Sequence, residues 1–215
     1  QIGVPLSVLL MDNNHDLAIF EAGISQPGEM KNLQKIIQPN IGILTNIGDA
    51  HQENFDSRNQ KLHEKLLLFS LARELIFCAD DENTARETNI FCTRNNIEPM
   101  SWSFRNRGRY LNFHKEKGPA GTTVSVHLQT QKISFTIPFT DDSSVENACH
   151  CFAALTLLHK NPETVLHRFK SLAAVEMRLE IKKGINNCLL INDFYNSDLT
   201  SLSIALSVLQ QQAQK

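Results

Sequence analysis

Long apolar runs are missing from this sequence, and so is an excess of charge of either sign. No stretch approaches the roughly 18 to 20 consecutive apolar residues that a membrane-spanning helix needs, and the first residues do not resemble a signal peptide. Lys and Arg together number 21 and Asp and Glu 23, so the net charge is −2. Such a balanced surface offers no broad basic patch for nucleic acid or anionic lipid. We therefore expect no membrane insertion and no nucleic-acid partner.

Patterned cysteines are also missing. The chain has five cysteines, an odd number, with no Cys-x-x-Cys pair and no Cys/His spacing of the zinc-finger type. Buried free thiols in a reducing compartment are the simplest interpretation of cysteines scattered in this way. We therefore expect a cytoplasmic protein.

Short apolar segments alternate with helical patterns in the first half of the chain. Three of these segments are apolar throughout, as strands covered on both faces are: Leu17–Phe20, Ile41–Leu44 and Leu75–Cys78. Strands that alternate with helices indicate βαβ units and a parallel sheet. We therefore predict the α/β class, with a mostly parallel sheet flanked by helices.

The residue pattern changes in the second half of the chain. The range 110–139 alternates Thr, Val and Ser between glycines, which predicts an antiparallel edge of the sheet. Glu98-Pro99 and the basic run 105–109 are predicted to be exposed loops. Helices are expected over 145–159, 163–172 and 199–212, and strands over 178–185 and 188–192.

Two polar residues follow neighbouring predicted strands. Glu21 comes directly after the first strand, and His51 follows the second strand and a short turn. The carboxyl ends of parallel strands meet at one edge of the sheet, where open α/β folds bind their ligands. A carboxylate at this edge could bind a magnesium ion that also contacts nucleotide phosphates. A lone Glu or His in such a place is, however, more often a helix cap or a loop residue.

Three motifs in this region carry a resemblance. They are EAGISQPGEM from Glu21, NIGDAHQENFDS from Asn46 and LHEKLLLF from Leu62, and in order and spacing they resemble the central domain of the Mur ligases. The resemblance implies that Glu21 and His51 hold magnesium and that Lys65 is carbamylated, so that it becomes an anionic oxygen ligand. The sequence departs from the family just after Lys65, where two leucines replace the usual Gly and Glu.

Further residues resemble the nucleotide site of the same family. Asn147 and His150 fall on the H-N-x-x-N-x-x-A-A segment near the adenine, with Glu146 in place of its His and His150 in place of its second Asn. An Asn near the start of a helix is also a common cap, so both interpretations of Asn147 stay open. Arg178 resembles the arginine that closes on the ATP phosphates, and Asp193 an acidic residue near the start of the carboxyl-terminal domain.

The resemblance implies an ATP-dependent amide ligase with ATP and magnesium as cofactors. Residues 1–176 would be the central ATP-binding domain, without its amino-terminal part, and residues 177–215 the beginning of the carboxyl-terminal ligase domain. The family's phosphate-binding loop, G-x-x-G-K-S/T, is absent, so we expect a fragment that is inactive alone. Within the family, the chain looks most like the member that adds D-alanyl-D-alanine to UDP-N-acetylmuramoyl-tripeptide, in the version fused to an alanine racemase.

Two alternatives remain open from the sequence. A folylpolyglutamate synthase-like ligase would share the fold and the modified lysine. A non-catalytic nucleotide-binding module would have lost its phosphate loop and would do no chemistry.

Overall fold

A six-stranded sheet with its strands in sequence order forms the centre of the protein. The computed structural model describes residues 2–48, 50–128, 131–158, 162–173, 180–193 and 199–213. The helices are α1 (Gly3–Leu9), α2 (Glu29–Ile37), α3 (Arg58–Leu67), α4 (Glu82–Asn95), α5 (Asp142–Leu157), α6 (Pro162–Phe169) and α7 (Leu199–Ala213). The strands are β1 (Ile41–Leu44), β2 (Glu74–Cys78), β3 (Glu98–Ser103), β4 (Leu111–Gly118), β5 (Gly121–Leu128), β6 (Gln131–Ile137), β7 (Glu180–Lys183) and β8 (Leu189–Asn192).

The sheet changes from parallel to antiparallel at β4. Strands β1 to β4 pair in parallel, with α3 and α4 as the crossovers between β1, β2 and β3, whereas β4, β5 and β6 form an antiparallel meander. Helices join the first two parallel pairs, whereas residues 104–110 connect the parallel strands β3 and β4 without a helix, and a short turn connects the antiparallel strands β4 and β5. The predicted α/β class, with a mostly parallel sheet and an antiparallel edge, is confirmed.

Strand β2 contributes side chains to two hydrophobic cores, one on each face of the sheet. Leu75 and Phe77 pack on the side of α2 and α3, and Ile76 packs on the opposite side with Trp102 and with Phe152 of α5. All five side chains are fully buried. Alternate residues of a strand point to opposite faces, so a strand with helices on both sides must be apolar throughout. Full burial of each such side chain contributes about 1.5–3 kcal/mol.

Acidic and hydroxyl side chains cap the first turns of helices α3, α4 and α5. Ser57 accepts a hydrogen bond from the amide of Gln60 at the start of α3, and Asp81 accepts one from the amide of Thr84 at the start of α4. Asp141 caps α5 in the same way. Each cap satisfies an amide that would otherwise lack a partner and is worth about 0.5–2 kcal/mol.

Two secondary-structure predictions are wrong. The segment 17–20 is not a strand, and Leu17 and Ile19 are exposed. An apolar segment becomes a strand only when a neighbour takes up its backbone hydrogen bonds, and within the described residues β1 ends the sheet on that side. Glu98-Pro99 is not a loop, because it opens β3, a strand between β2 and β4.

The last described elements agree with the predicted ones. Strands β7 and β8 form an antiparallel hairpin around a short turn in which Asn186 adopts a left-handed conformation, and α7 follows. All five cysteines are free thiols; Cys92 and Cys149 are buried, whereas Cys151 and Cys188 are exposed, which corrects the expectation of burial for those two. Among the described residues, no helix is long and apolar enough to cross a membrane.

Candidate active site

Helix α3 carries the side chains that organise the candidate site. Its inner face is anchored in the core by Leu62 and Leu66, both almost completely buried. Lys61, Glu64 and Lys65 lie beside this face, within little more than one helical turn, and each binds the backbone of a loop. The helix thus supports the loops that carry the predicted ligands.

The loop after β1 is held by two lysines of α3. Lys65 Nζ donates a hydrogen bond of 2.9 Å to the carbonyl oxygen of Asn46. Lys61 Nζ donates one of 2.7 Å to the carbonyl oxygen of Gly48 and another to that of Ala50. An ammonium has only donors, and carbonyl oxygens have only acceptor capacity, so the pairing is complementary. The loop that precedes His51 is therefore fastened at three carbonyl groups.

His51 stands at the end of this loop in an unusual conformation. Its φ is 60°, in the left-handed region, and the residue immediately precedes the short helix Gln52–Asn54. Left-handed backbone costs roughly 1–2 kcal/mol for a residue with a side chain, so the surrounding loop must hold it there. The imidazole is half exposed, with Nδ1 3.9 Å from a carboxylate oxygen of Glu53. It is thus available to a ligand from solvent.

The loop that contains Glu21 is tied to the same helix. The amide of Gly28 donates a hydrogen bond of 2.6 Å to Glu64 of α3. The side-chain amide of Asn54 donates one of 2.9 Å to the carbonyl oxygen of Ser25, which links this loop to the turn after His51. Glu21 itself is exposed. The backbone segments that carry the three predicted ligands are thus mutually connected through α3.

Lys65 has an altered acidity. Burial lowers the pKa of Lys65 below its usual value, and the nearby positive charge of Lys61 lowers this pKa further. Both causes act in the expected direction, since burial and a like charge disfavour the charged form of an amine. Lys65 therefore loses its proton more readily than a surface lysine does.

The residues fit a magnesium ion on one condition. Among the described residues, no cluster of three or more His, Cys, Asp or Glu side chains is arranged to hold a metal ion. Glu21 and His51 would consequently need a third ligand of another kind, because an ammonium on Lys65 would repel a cation. A carbamate on Lys65 would supply oxygen ligands and negative charge, as a hard cation requires. The predicted convergence of Glu21, His51 and Lys65 in one pocket stays a prediction.

The two predicted nucleotide residues of α5 differ in environment. Asn147 is exposed on the second turn of the helix, and it is not the cap, because Asp141 takes that role. His150 is buried, and its Nδ1 accepts a hydrogen bond of 3.1 Å from the indole N–H of Trp102. Burial lowers the pKa of His150 to about 4. The ring of His150 is thus neutral near pH 7.

The remaining predicted nucleotide residues are Asp193 and Arg178. Asp193 follows β8 directly and is half buried. Arg178 lies outside the described residues, so its predicted role at the ATP phosphates stays a prediction.

The structure gives three polar residues contacts or environments that the sequence did not indicate. Asp80, which follows β2, accepts hydrogen bonds from Ser103 Oγ at 2.5 Å and from the amide of Phe104 at 3.1 Å. Asp80 thereby joins the ends of two parallel strands. Burial raises the pKa of Glu146, against the opposing charge of Lys115. Lys61 was inconspicuous because its only signal was its place directly beside the apolar residues of α3.

Comparisons with known proteins agree on one family. The family model described as "Mur ligase middle domain" matches residues 1–155. The UDP-N-acetylmuramoyl-tripeptide--D-alanyl-D-alanine ligase of Bacillus subtilis is 28% identical over 96% of this chain and 44% of its own length. The chain thus spans about half the length of the curated relatives it matches.

Solved structures show the same fold. MurF from Acinetobacter baumannii superposes with a TM-score of 0.85 at 25% identity, over 98% of this chain and 46% of its own. A variant of FPGS from L. casei superposes with a TM-score of 0.66 at 15% identity, over 92% of this chain and 48% of its own, which is a likeness of fold alone. The family model matches most of the length of this chain. We therefore conclude that the chain belongs to the Mur ligase middle domain family.

Proposed function

We propose that the protein of which this chain is part is an ATP-dependent ligase that adds D-alanyl-D-alanine to UDP-N-acetylmuramoyl-tripeptide in peptidoglycan synthesis. The observation that carries the proposal is the likeness, over 96% of the chain, to a ligase of that name from Bacillus subtilis. The arrangement around α3 supports it, because the loops of Glu21 and His51 are both fastened to the helix that carries Lys65.

We propose that ATP and magnesium are the cofactors. Magnesium, when bound, would neutralise charge on the nucleotide phosphates and on the acyl phosphate formed from the tripeptide carboxylate. Glu21 would supply a carboxylate oxygen, His51 a ring nitrogen and Lys65 the oxygens of a carbamate. Because an amine must be neutral to add carbon dioxide, the lowered pKa of Lys65 favours this modification. The work of the protein is positioning and charge neutralisation.

We propose that the adenine of ATP binds beside helix α5, on the same edge of the sheet as the proposed magnesium site. Asn147 offers both a donor and an acceptor to an adenine edge, and His150 lies one helical turn further along α5. Arg178 and Asp193 would approach from the second domain. The proposed boundary lies between residues 176 and 177, and we place the enzyme in the cytoplasm, where its nucleotide-linked substrates would be made.

An acceptor assay on the longer protein tests the proposal. Phosphate release from ATP should require UDP-N-acetylmuramoyl-tripeptide and D-alanyl-D-alanine together, and should not be supported by folate with glutamate. Release with the folate pair instead would establish a folylpolyglutamate synthase-like ligase. Release with neither pair, in a protein that still binds ATP, would favour the non-catalytic module. The reading frame downstream tests the proposed alanine racemase fusion.

The isolated chain gives a further check. We expect calorimetry with ATP and magnesium to show at most weak binding, because the chain has no G-x-x-G-K-S/T loop to surround the phosphates. Micromolar affinity, or measurable phosphate release by this chain alone, would contradict our placement of the nucleotide.

A further inference from the structure

Lys61 is a charged residue in an unexpected place. Only 2% of its surface is exposed, and it is among the largest fully buried side chains of the protein. Burial of an ammonium is costly unless hydrogen bonds compensate for the lost water. Its Nζ binds the carbonyl oxygens of Gly48 and Ala50 and lies 5.8 Å from the ring centre of Phe55. The burial cost indicates that the contacts of this lysine serve a purpose beyond packing.

The contact with Ala50 acts on the backbone of His51. The carbonyl group of Ala50 belongs to the peptide unit that ends at the Cα atom of His51, and the atoms of a peptide unit lie in one plane. A donor that fixes this oxygen therefore also fixes the direction of the amide of His51 and the position of its Cα atom. The same residue holds the unfavourable φ of 60°. Lys61 is thus placed to stabilise the conformation in which His51 faces solvent.

The neighbouring lysine cannot replace this contact. Lys65 binds the carbonyl oxygen of Asn46, five residues before His51 and at the other end of the loop. In addition, Lys65 exchanges its ammonium for a carbamate in the proposed function, so its own hydrogen bonds must change. Lys61 undergoes no such modification in the proposed function.

We propose that Lys61 is a positioning residue, which holds the carbonyl groups of Gly48 and Ala50 so that His51 is presented to the magnesium site. The part of this inference that concerns magnesium rests on the proposed function. The part that concerns the loop rests on the contacts of Lys61 alone.

The experiment compares two variants of the longer protein. Lys61→Met keeps the length and apolar stem of the side chain but removes every donor. Leu62→Ala is the matched control: it lies next to Lys61 and is just as buried, but an apolar side chain cannot bind a carbonyl group. Both variants are assayed where each is fully folded. Hydrogen exchange, measured by mass spectrometry on the peptide that covers residues 46–55, is the first readout, and the magnesium concentration for half-maximal phosphate release is the second.

The inference predicts that the two variants differ in local hydrogen exchange and in their magnesium requirement. Lys61→Met should speed exchange in this peptide and raise the magnesium requirement about tenfold or more, while the half-saturating concentration of D-alanyl-D-alanine stays unchanged. Leu62→Ala should change neither the local exchange nor the magnesium requirement, since it removes no donor to the loop, and any small loss of folded protein would lower the maximal rate without altering a half-saturating concentration.

Each other outcome has a definite meaning. Unchanged exchange in Lys61→Met would overturn the inference, as would faster exchange with an unaltered magnesium requirement. If the wild-type protein released no phosphate with either acceptor, the proposed function would fail. Faster exchange in Lys61→Met but not in Leu62→Ala would then still support the role of Lys61 in the loop.

Discussion

The buried imidazole of His150 makes stability depend on pH. The side chain is 3% exposed, and burial lowers its pKa from 6.5 to about 4. Above pH 6.5 the ring is neutral in both the folded and the unfolded protein, and its full contribution to stability is present. As the pH falls from 6.5 towards 4, the unfolded chain takes up a proton that the folded protein does not. Stability is therefore lost across this interval.

The size of the effect follows from the two pKa values. At pH 5, which is about 1.5 pH units below 6.5, the loss is about 2 kcal/mol, at about 1.36 kcal/mol per unit. Protonation also turns Nδ1 of His150 into a donor, so the indole N–H of Trp102 would lose its acceptor. This second effect acts in the same direction.

Urea unfolding at pH 7.5 and pH 5 measures this loss. His150→Asn removes the titrating group and leaves an amide oxygen that can accept from Trp102, so between the two pH values this variant should lose about 2 kcal/mol less than the wild type. His63→Asn, which removes an exposed histidine, should retain most of the wild-type loss. Equal losses in the wild type and His150→Asn would refute the assignment of a neutral, buried ring.

Three further predictions concern the site, the core and a helix cap. In the longer protein, Lys65→Ala should abolish ligation, and added short carboxylates should restore part of it by replacing the carbamate oxygens; near wild-type turnover without them would contradict the role of Lys65. Phe152→Ala should lower the free energy of unfolding by about 3–5 kcal/mol, because this fully buried ring packs against Phe113 and Phe135 at 5.7 and 5.2 Å between ring centres. A loss below about 1 kcal/mol in urea unfolding would mean that the cavity collapses. Asp81→Ala should cost about 1 kcal/mol through the cap of α4, and Asp81→Asn much less, since an amide oxygen also caps. Equal losses in these two variants would assign the effect to charge.

The sequence was informative where a short segment is apolar. Leu75–Cys78 was predicted because a strand covered on both faces is apolar throughout, and Ile41–Leu44 was predicted from the same pattern, although Ile43 is exposed. Strand β3 was missed because its first residues, Glu98 and Pro99, have the composition of a loop, although Met100–Ser103 alternate as the residues of a strand do. Proline is accepted at the start of a strand, where its missing N–H interrupts little of the ladder. The local composition therefore indicated a loop, and only the pairing with β2 and β4 makes this segment a strand.

In the candidate site, too, some residues could be predicted from the sequence and others could not. Glu21, His51 and Lys65 were predicted as ligands because their neighbours form motifs of fixed spacing, which a single sequence displays. Lys61 was not found, because its function depends on which carbonyl groups the folded loop turns towards it. Such contacts form between residues 11 and 13 positions apart and leave no local pattern. The sequence thus predicts ligands for the candidate site but not the groups that would position them.

The use of a single helix as the support has a mechanical consequence. The loop of Glu21 is fastened to Glu64, and the loop of His51 to Lys61 and Lys65, within little more than one turn of α3. The inner face of that turn is locked into the core by Leu62 and Leu66, and a closely packed core shifts as a unit and not residue by residue. A movement of α3 would therefore carry both loops together and preserve their relative geometry. Substitutions within the core beneath α3 should consequently affect stability more than the arrangement of the ligands, whereas substitutions of the three loop-binding side chains should do the reverse.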